Sequence, residues 1–272
     1  NIQRHLENTV QSRPIGVLVE IGATGGRTGV RHKEQAMAVI KALRAAPDQF
    51  SFCGIGAFEG AIPGLEQSAT PVNEYADLII EIISDTPQSA YADLDEFILT
   101  GGGSSYFDII AERFKTLKIS VPVRVLLRSG CYVTNDHGAY RTAQEEARQD
   151  PNRHWNSEFR PALEVWSYVQ SLPEPGLGFL TMGKRDVPFD AGLPMPFKRY
   201  RPGAGFLDVG ECDIFSTNDQ HAYVRLERDS DWKVGDMICS GISHPCTAFD
   251  KWRFIPVVND EYDVIDGVLT FF

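Results

Sequence analysis

Apolar and polar positions follow two different textures along the 272 residues. Between Ile15 and Leu127, apolar runs of strand length (IGVLVEI at 15–21, FSFCGIGA at 50–57, EFILT at 96–100 and VPVRVLL at 121–127) alternate with stretches of helical period. In HKEQAMAVIKALRAA, Ala36, Val39, Ile40 and Leu43 share one helical face. Residues 72–83 are compatible with a second helix, and a third is predicted over about 105–117. Four strands with three intervening helices predict a parallel sheet with right-handed crossovers. After Asp136 a polar segment, AQEEARQDPNRHWNSEFR, leads into shorter apolar runs broken by Pro and Gly: ALEVWSYVQS, LGFLTMG, AYVRLER and GVLTFF. This predicts a mostly β second domain, so the expected division is 1–150 and 151–272.

Parallel strands are normally buried on both faces, with protected edges. Four of them therefore read as part of a larger sheet. A (β/α)8 barrel would need four more βα units, roughly 120 to 150 residues, beyond those in this sequence.

Composition narrows the function classes. A hydrophobic content of 43% is enough to bury a substantial core, and the formal charge of -11 disfavours nucleic acid and anionic membrane as partners. No apolar run approaches the roughly 18 residues of a membrane span, and the opening NIQRHLENTVQSRP lacks the apolar stretch of a signal peptide, so a soluble cytoplasmic protein is expected. Five widely spaced cysteines without a C-x-x-C pair point to reduced thiols rather than a disulfide framework or zinc ribbon.

Four motifs carry chemistry. Gly101, Gly102, Gly103, Ser104 and Ser105 follow a strand and open a helix, a place where backbone N–H groups converge on a phosphate or merely turn the chain. Ser105 and Asp108 have the spacing of a capping box. The turn GATGGRTGVR lacks dinucleotide and P-loop spacing; its Arg27 either pairs with a ring nitrogen or an anion, or caps a helix. His244-Pro245-Cys246 places nitrogen and sulfur donors on one side of an extended segment, able to share a divalent ion, although such a pair is more often a satisfied histidine beside a buried thiol. Tyr132, in RSGCY at the end of the last parallel strand, either bonds a cofactor or fills a barrel mouth.

Taken together, VLVEIGATGGRTGVR, ILTGGGSSYFD, LLRSGCYVTND, GKRDVPFDAGLP and GISHPCTAFDKWR resemble the D-serine dehydratase and D-threonine aldolase family of alanine-racemase-like enzymes. The resemblance implies the C-terminal half of a pyridoxal-phosphate-binding barrel followed by a mostly β, metal-bearing domain, and a homodimer. It assigns the run from Gly101 to Ser105 to the phosphate, Tyr132 and Arg27 to the cofactor pocket, and His244 with Cys246 to a divalent metal, with zinc favoured by the thiolate and manganese the alternative. The family's Schiff-base lysine falls before the first strand seen here, and none of Lys33, Lys41, Lys115, Lys118, Lys184, Lys198, Lys233 or Lys251 sits in its motif. The activity expected is therefore that of a chain completed by an N-terminal segment: a D-serine or related D-3-hydroxy amino acid converted to a 2-oxo acid and ammonia. The alternatives are retro-aldol cleavage, less readily racemisation, or an inactive module that binds cofactor or metal.

Overall fold

The computed structural model describes residues 13–63, 65, 69–103, 105–153, 155 and 158–271. They form two compact units, the residues up to Ser129 with Pro151–Trp155, and Gly130–Asp150 with the residues from 156 onward. The division thus falls at Ser129 rather than near 150, because a helix that the polar texture concealed belongs to the second unit.

In the first unit β1 (Ile15–Ile21), β2 (Phe50–Ala57), β3 (Phe97–Gly101) and β4 (Val123–Leu127) form one sheet in sequence order, every pair parallel, as the alternation predicts. The register Val19↔Ile55↔Leu99↔Val125 lines one row of apolar residues along one face. Helices α1 (Lys33–Arg44), α2 (Thr70–Asp85) and α3 (Phe107–Phe114) connect the strands, and their apolar stripes join that row in a single core. Helix α2 supplies Val72, Tyr75, Ala76, Ile79, Ile82 and Ile83, the spacing of one helical face. Helix α1 buries Ala36 and Ile40, whereas Val39, expected beside them, is 38% exposed. The opposite face of the sheet is less covered: Leu18 and Leu126 are 37% and 40% exposed.

Helix α3 does not begin with the expected capping box. Its cap position is Tyr106, without a side-chain cap, and Asp108 turns to Arg153 instead. Arg153 Nε and Nη2 donate to the two Asp108 carboxylate oxygens at 2.9 and 2.6 Å, and Nη2 also donates to the Ser105 carbonyl at 2.7 Å. The two side chains are only 6% and 7% exposed, so the fork is what fastens the 151–155 segment to the first unit.

The second unit holds α4 (Ala139–Gln149), which buries only Gln144 and Ala147. An antiparallel sheet follows from β5 (Glu164–Glu174), β6 (Leu177–Leu180), β7 (Met195–Arg201), β8 (Gly205–Leu207), β9 (Cys212–Thr217), β10 (Ala222–Leu226) and β11 (Met237–Gly241), in the order β8-β7-β11-β5-β6-β10-β9. Val169, Leu180, Met182, Val224 and Ile238 are central to its core. A one-turn helix α5 (Cys246–Phe249) and the hairpin β12 (Phe254–Val258) and β13 (Val264–Leu269) complete it. Among the described residues no helix is long and apolar enough to cross a membrane.

Removing one partner of a buried ion pair strands the other charge, which costs about 3–5 kcal/mol. Asp108→Ala is therefore expected to destabilise the first unit by that order in urea unfolding, while Asp77→Ala, whose pair with Arg113 is exposed, should cost under about 1 kcal/mol. Equal costs would show that the buried fork has no special weight.

Candidate functional site

Because β1 to β4 run parallel, their C-terminal ends meet at one edge, with Ile21 beside Ala57 and Gly101 beside Leu127. There the glycine loop holds an anion, and the anion belongs to the chain itself. Glu59, fully buried in the turn after β2, accepts the Gly102 N–H through Oε2 at 3.1 Å and the Gly103 N–H through Oε1. Burial pushes the Glu59 carboxyl above its usual range, while its amide donors and the Arg128 charge pull it back in part. The glycines make this close approach possible. Gly102 has φ +82, and a Cβ there would lie 2.7 Å from the Leu127 side chain; a Cβ at Gly103 would lie 3.1 Å from the Glu59 carboxylate.

The surrounding bonds fix the loop. Arg128 Nε donates to Thr100 Oγ1 at 3.0 Å and its Nη2 to the Ala57 carbonyl, while Ser129 Oγ donates to the Gly102 carbonyl at 2.7 Å. Of the five residues assigned to the phosphate, Gly101 ends β3, Gly102 and Gly103 point their amides at Glu59, Ser105 offers its carbonyl to Arg153, and Ser104 lies outside the described residues. A cofactor phosphate at this edge therefore fits the start of α3, which no side chain caps, better than Gly102 and Gly103. Glu59 carried no motif; its only signal was a lone acid in the apolar run AFEGAI.

In the turn after β1 the organising arginine is Arg31 rather than Arg27. The Arg31 guanidinium donates to the carbonyls of Thr28 (2.8 Å) and Gly29 (3.1 Å) and to that of Arg27. Arg27 is exposed, with its guanidinium 4.7 Å from the centre of the Phe58 ring. An arginine free of backbone duties and stacked beside the Glu59 turn remains available to an anion.

The second cluster lies wholly in the second unit. The Asp136 carboxylate, 1% exposed, accepts the N–H groups of Gly138 and Tyr140 at the start of α4 and that of His244, each at 2.9 Å. Together with the His137 N–H bond to the Ile242 carbonyl, this fastens residues 135–138 to 242–244 and holds His244 in a left-handed backbone of φ +68. That conformation costs about 1–3 kcal/mol outside glycine and persists where neighbours over-determine it. His244 Nδ1 donates to Asp190, whose other oxygen accepts from Thr247 Oγ1 at 3.0 Å. Burial acts to raise the Asp190 carboxyl, but these two donors outweigh it and hold the group below its usual range.

With Nδ1 committed to a carboxylate, the neutral His244 ring presents Nε2 as its lone-pair nitrogen, the usual preparation of a metal-binding histidine. Cys246 is exposed, and its sulfur lies 2.9 Å from that of buried Cys131. Partial burial and the adjacent Cys131 thiol push it up to about 11, so the free sulfur is a thiol and needs a cation to become a thiolate ligand. The segment is not extended as its spacing predicts: His244 is left-handed, Pro245 is helical and Cys246 opens α5, so the case for a divalent ion rests on the chemistry of the nitrogen and sulfur donors rather than on a shared side. Among the described residues no three His, Cys, Asp or Glu side chains converge on one point. Tyr132 is 45% exposed on the turn after Gly130, its ring 5.6 Å from that of Phe159. Nothing in the motif GKRDVPFDAGLP marks Asp190, because its partnership with His244 spans 54 residues.

The Glu59 geometry predicts a pH effect. A carboxyl raised in the folded state holds its proton more tightly there than when unfolded, so folding is penalised once the group must ionise. Stability should decline as pH rises above the ordinary value near 4.5, and Glu59→Gln should flatten that slope in melting temperature measured against pH. Parallel slopes for the two proteins would exclude a raised Glu59.

The chain is similar in sequence and fold to several known proteins. The family model described as "Putative serine dehydratase domain" matches residues 162–258. A curated relative, the 3-hydroxy-D-aspartate aldolase of Paracoccus denitrificans (strain Pd 1222), is 26% identical over 256 residues; the match takes in 92% of this chain but 59% of the relative, so the chain spans under two thirds of its length. Among solved structures, the D-threonine aldolase from Filomicrobium marinum shares the fold at TM-score 0.63 and 23% identity, over 92% of this chain and 61% of that one. An alanine-racemase-like protein from Idiomarina loihiensis does so at TM-score 0.65 and 14% identity, over 99% and 67%. The parallel sheet and antiparallel β domain thus follow an alanine-racemase-like fold, and residues 162–258 are similar to the serine dehydratase domain.

Proposed function

We propose that this chain is part of a pyridoxal-phosphate- and divalent-metal-dependent lyase that removes water from D-3-hydroxy amino acids, D-serine among them, to give a 2-oxo acid and ammonia. The observation that carries the reading is the histidine anchored through Nδ1 to Asp190 two residues from an exposed cysteine, within the stretch matching the serine dehydratase domain. When bound, the two groups supply an electron sink for the bond broken at Cα and Lewis acidity at the β-hydroxyl.

The chain's own residues divide the remaining work. Asp190 holds the His244 ring through Nδ1 and Asp136 holds the His244 backbone, which supports a role for the imidazole as a metal donor. Zinc suits a nitrogen and thiolate pair, with manganese as the alternative. In the first unit Arg27 and the start of α3 would meet the negative charge of the cofactor; Tyr132, in the second unit, is assigned to the cofactor by the family resemblance alone. The lysine that would carry the cofactor is assigned to an N-terminal segment of the same protein, outside these 272 residues; the active form proposed is the full-length homodimer.

A second reading, retro-aldol cleavage to glycine and an aldehyde, is favoured by the curated relative that matches most of the chain. The full-length protein supplied with D-serine, D-threonine and D-3-hydroxyaspartate separates the two: 2-oxo acid and ammonia support the dehydratase, glycine and aldehyde the aldolase, and turnover of none of them rejects both. In that protein Cys246→Ala is expected to abolish dehydration while leaving the cofactor absorbance band in place. Asp190→Ala should weaken metal binding about 10–100-fold in chelator competition, with the ligands themselves intact.

A further inference from the structure

The metal reading assigns Cys246 a role but gives none to Cys131, although the two sulfurs lie 2.9 Å apart across 115 residues of sequence. Their approach is built by the backbone. Cys131 begins a turn in which its carbonyl accepts the Asn135 N–H at 2.7 Å, and the next residues are tied to the 242–244 segment through His137 to Ile242 and His244 to Asp136. Cys131 is 6% exposed whereas Cys246 faces solvent. Cys246 is thus the more exposed residue of the pair, and the buried Cys131 sulfur lies against its own.

We propose that Cys131 and Cys246 form a modification site that closes to a disulfide on two-electron oxidation by a peroxide. In the first step the Cys246 thiol gives up its proton as its sulfur attacks a peroxide oxygen: the S–H and O–O bonds break, an S–O bond forms, and the departing hydroxide takes up that proton and leaves as water, so that sulfur is oxidised to a sulfenic acid and peroxide is reduced. The Cys131 sulfur then attacks that of Cys246; the S–S bond forms, the S–O bond breaks, and a second water carries off the oxygen. Two thiols and one peroxide thus become one disulfide and two waters. The sulfurs need to close by about 0.9 Å to reach the bonded distance of about 2.05 Å. The cross-link stands on the thiol geometry alone; its consequence, that the sulfur offered by Cys246 is lost to a metal, rests on the function proposed above.

The test treats the full-length protein, stripped with a chelator, with one equivalent of hydrogen peroxide. The expected result is loss of two hydrogens in intact mass, two fewer titratable thiols, and a disulfide-linked peptide pair containing Cys131 and Cys246. Cys131→Ser should instead leave Cys246 carrying added oxygen. A wild-type protein that gains oxygen without the linked pair, or that links either cysteine to another, overturns the proposal. Zinc saturation should slow closure about tenfold or more, because a metal-bound thiolate is withheld from the oxidant. Closure at an unchanged rate under zinc would reject the metal reading while leaving the cross-link intact.

Discussion

A carboxylate taken out of water must find donors, and in this protein that requirement organises the loops that matter. Glu59, Asp108, Asp136 and Asp236 are each no more than 8% exposed. Each gathers N–H groups from segments distant in sequence, because leaving a buried charge unpaired costs several kcal/mol. Glu59 gathers the glycine loop, Asp108 the returning 151–155 segment, and Asp136 both the start of α4 and the backbone of His244. Asp236 gathers Arg201, with the backbone of Lys233. The apolar cores fix where strands and helices lie; the acids fix the conformations between them.

The donors decide what each acid becomes. Burial raises both Glu59 and Asp236, yet the outcomes differ in sign. Asp236 receives two N–H groups of the Arg201 guanidinium at 2.7 and 2.9 Å, with Arg199 also near, and is held below its usual range. Glu59 receives two neutral backbone amides and only a more distant Arg128, and stays raised. The neutral amides lower the Glu59 carboxyl, but not enough to offset its burial. The edge of the parallel sheet therefore carries an acid that is poorly compensated, beside an arginine, Arg27, that is not spent on the backbone. A phosphate arriving there would meet both, which is why the start of α3 suits it better than the amides of Gly102 and Gly103.

What was legible in the sequence follows from the range of the interactions. Strands β1 to β4 and the stripe of α2 were readable because each is encoded by neighbours within a few residues. The HPC triplet and the glycine run were readable for the same reason. Helix α4 was missed because AYRTAQEEARQ buries little, and its start is set by Asp136 and by bonds to a segment a hundred residues away. Ser105 and Asp108 had the right spacing for a capping box, but a buried carboxylate gains more from the Arg153 fork than from a single backbone amide. Asp190 and Glu59 act on partners 54 and 43 residues away, and no local pattern can announce such a partnership.

The same long-range bonds explain why the two thiols meet at all. Cys131 sits on a turn that the first unit's last strand leads into, and Cys246 opens the short helix α5 after β11. Each lies within six residues of the Asp136–His244 and His137–Ile242 bonds, so the closeness of the sulfurs is set by the backbone lock. That lock also sets the His244 backbone whose ring Asp190 then orients. The placement of the His244 ring and the approach of the thiols are therefore two results of one constraint, and a change that loosens Asp136 has to disturb both together.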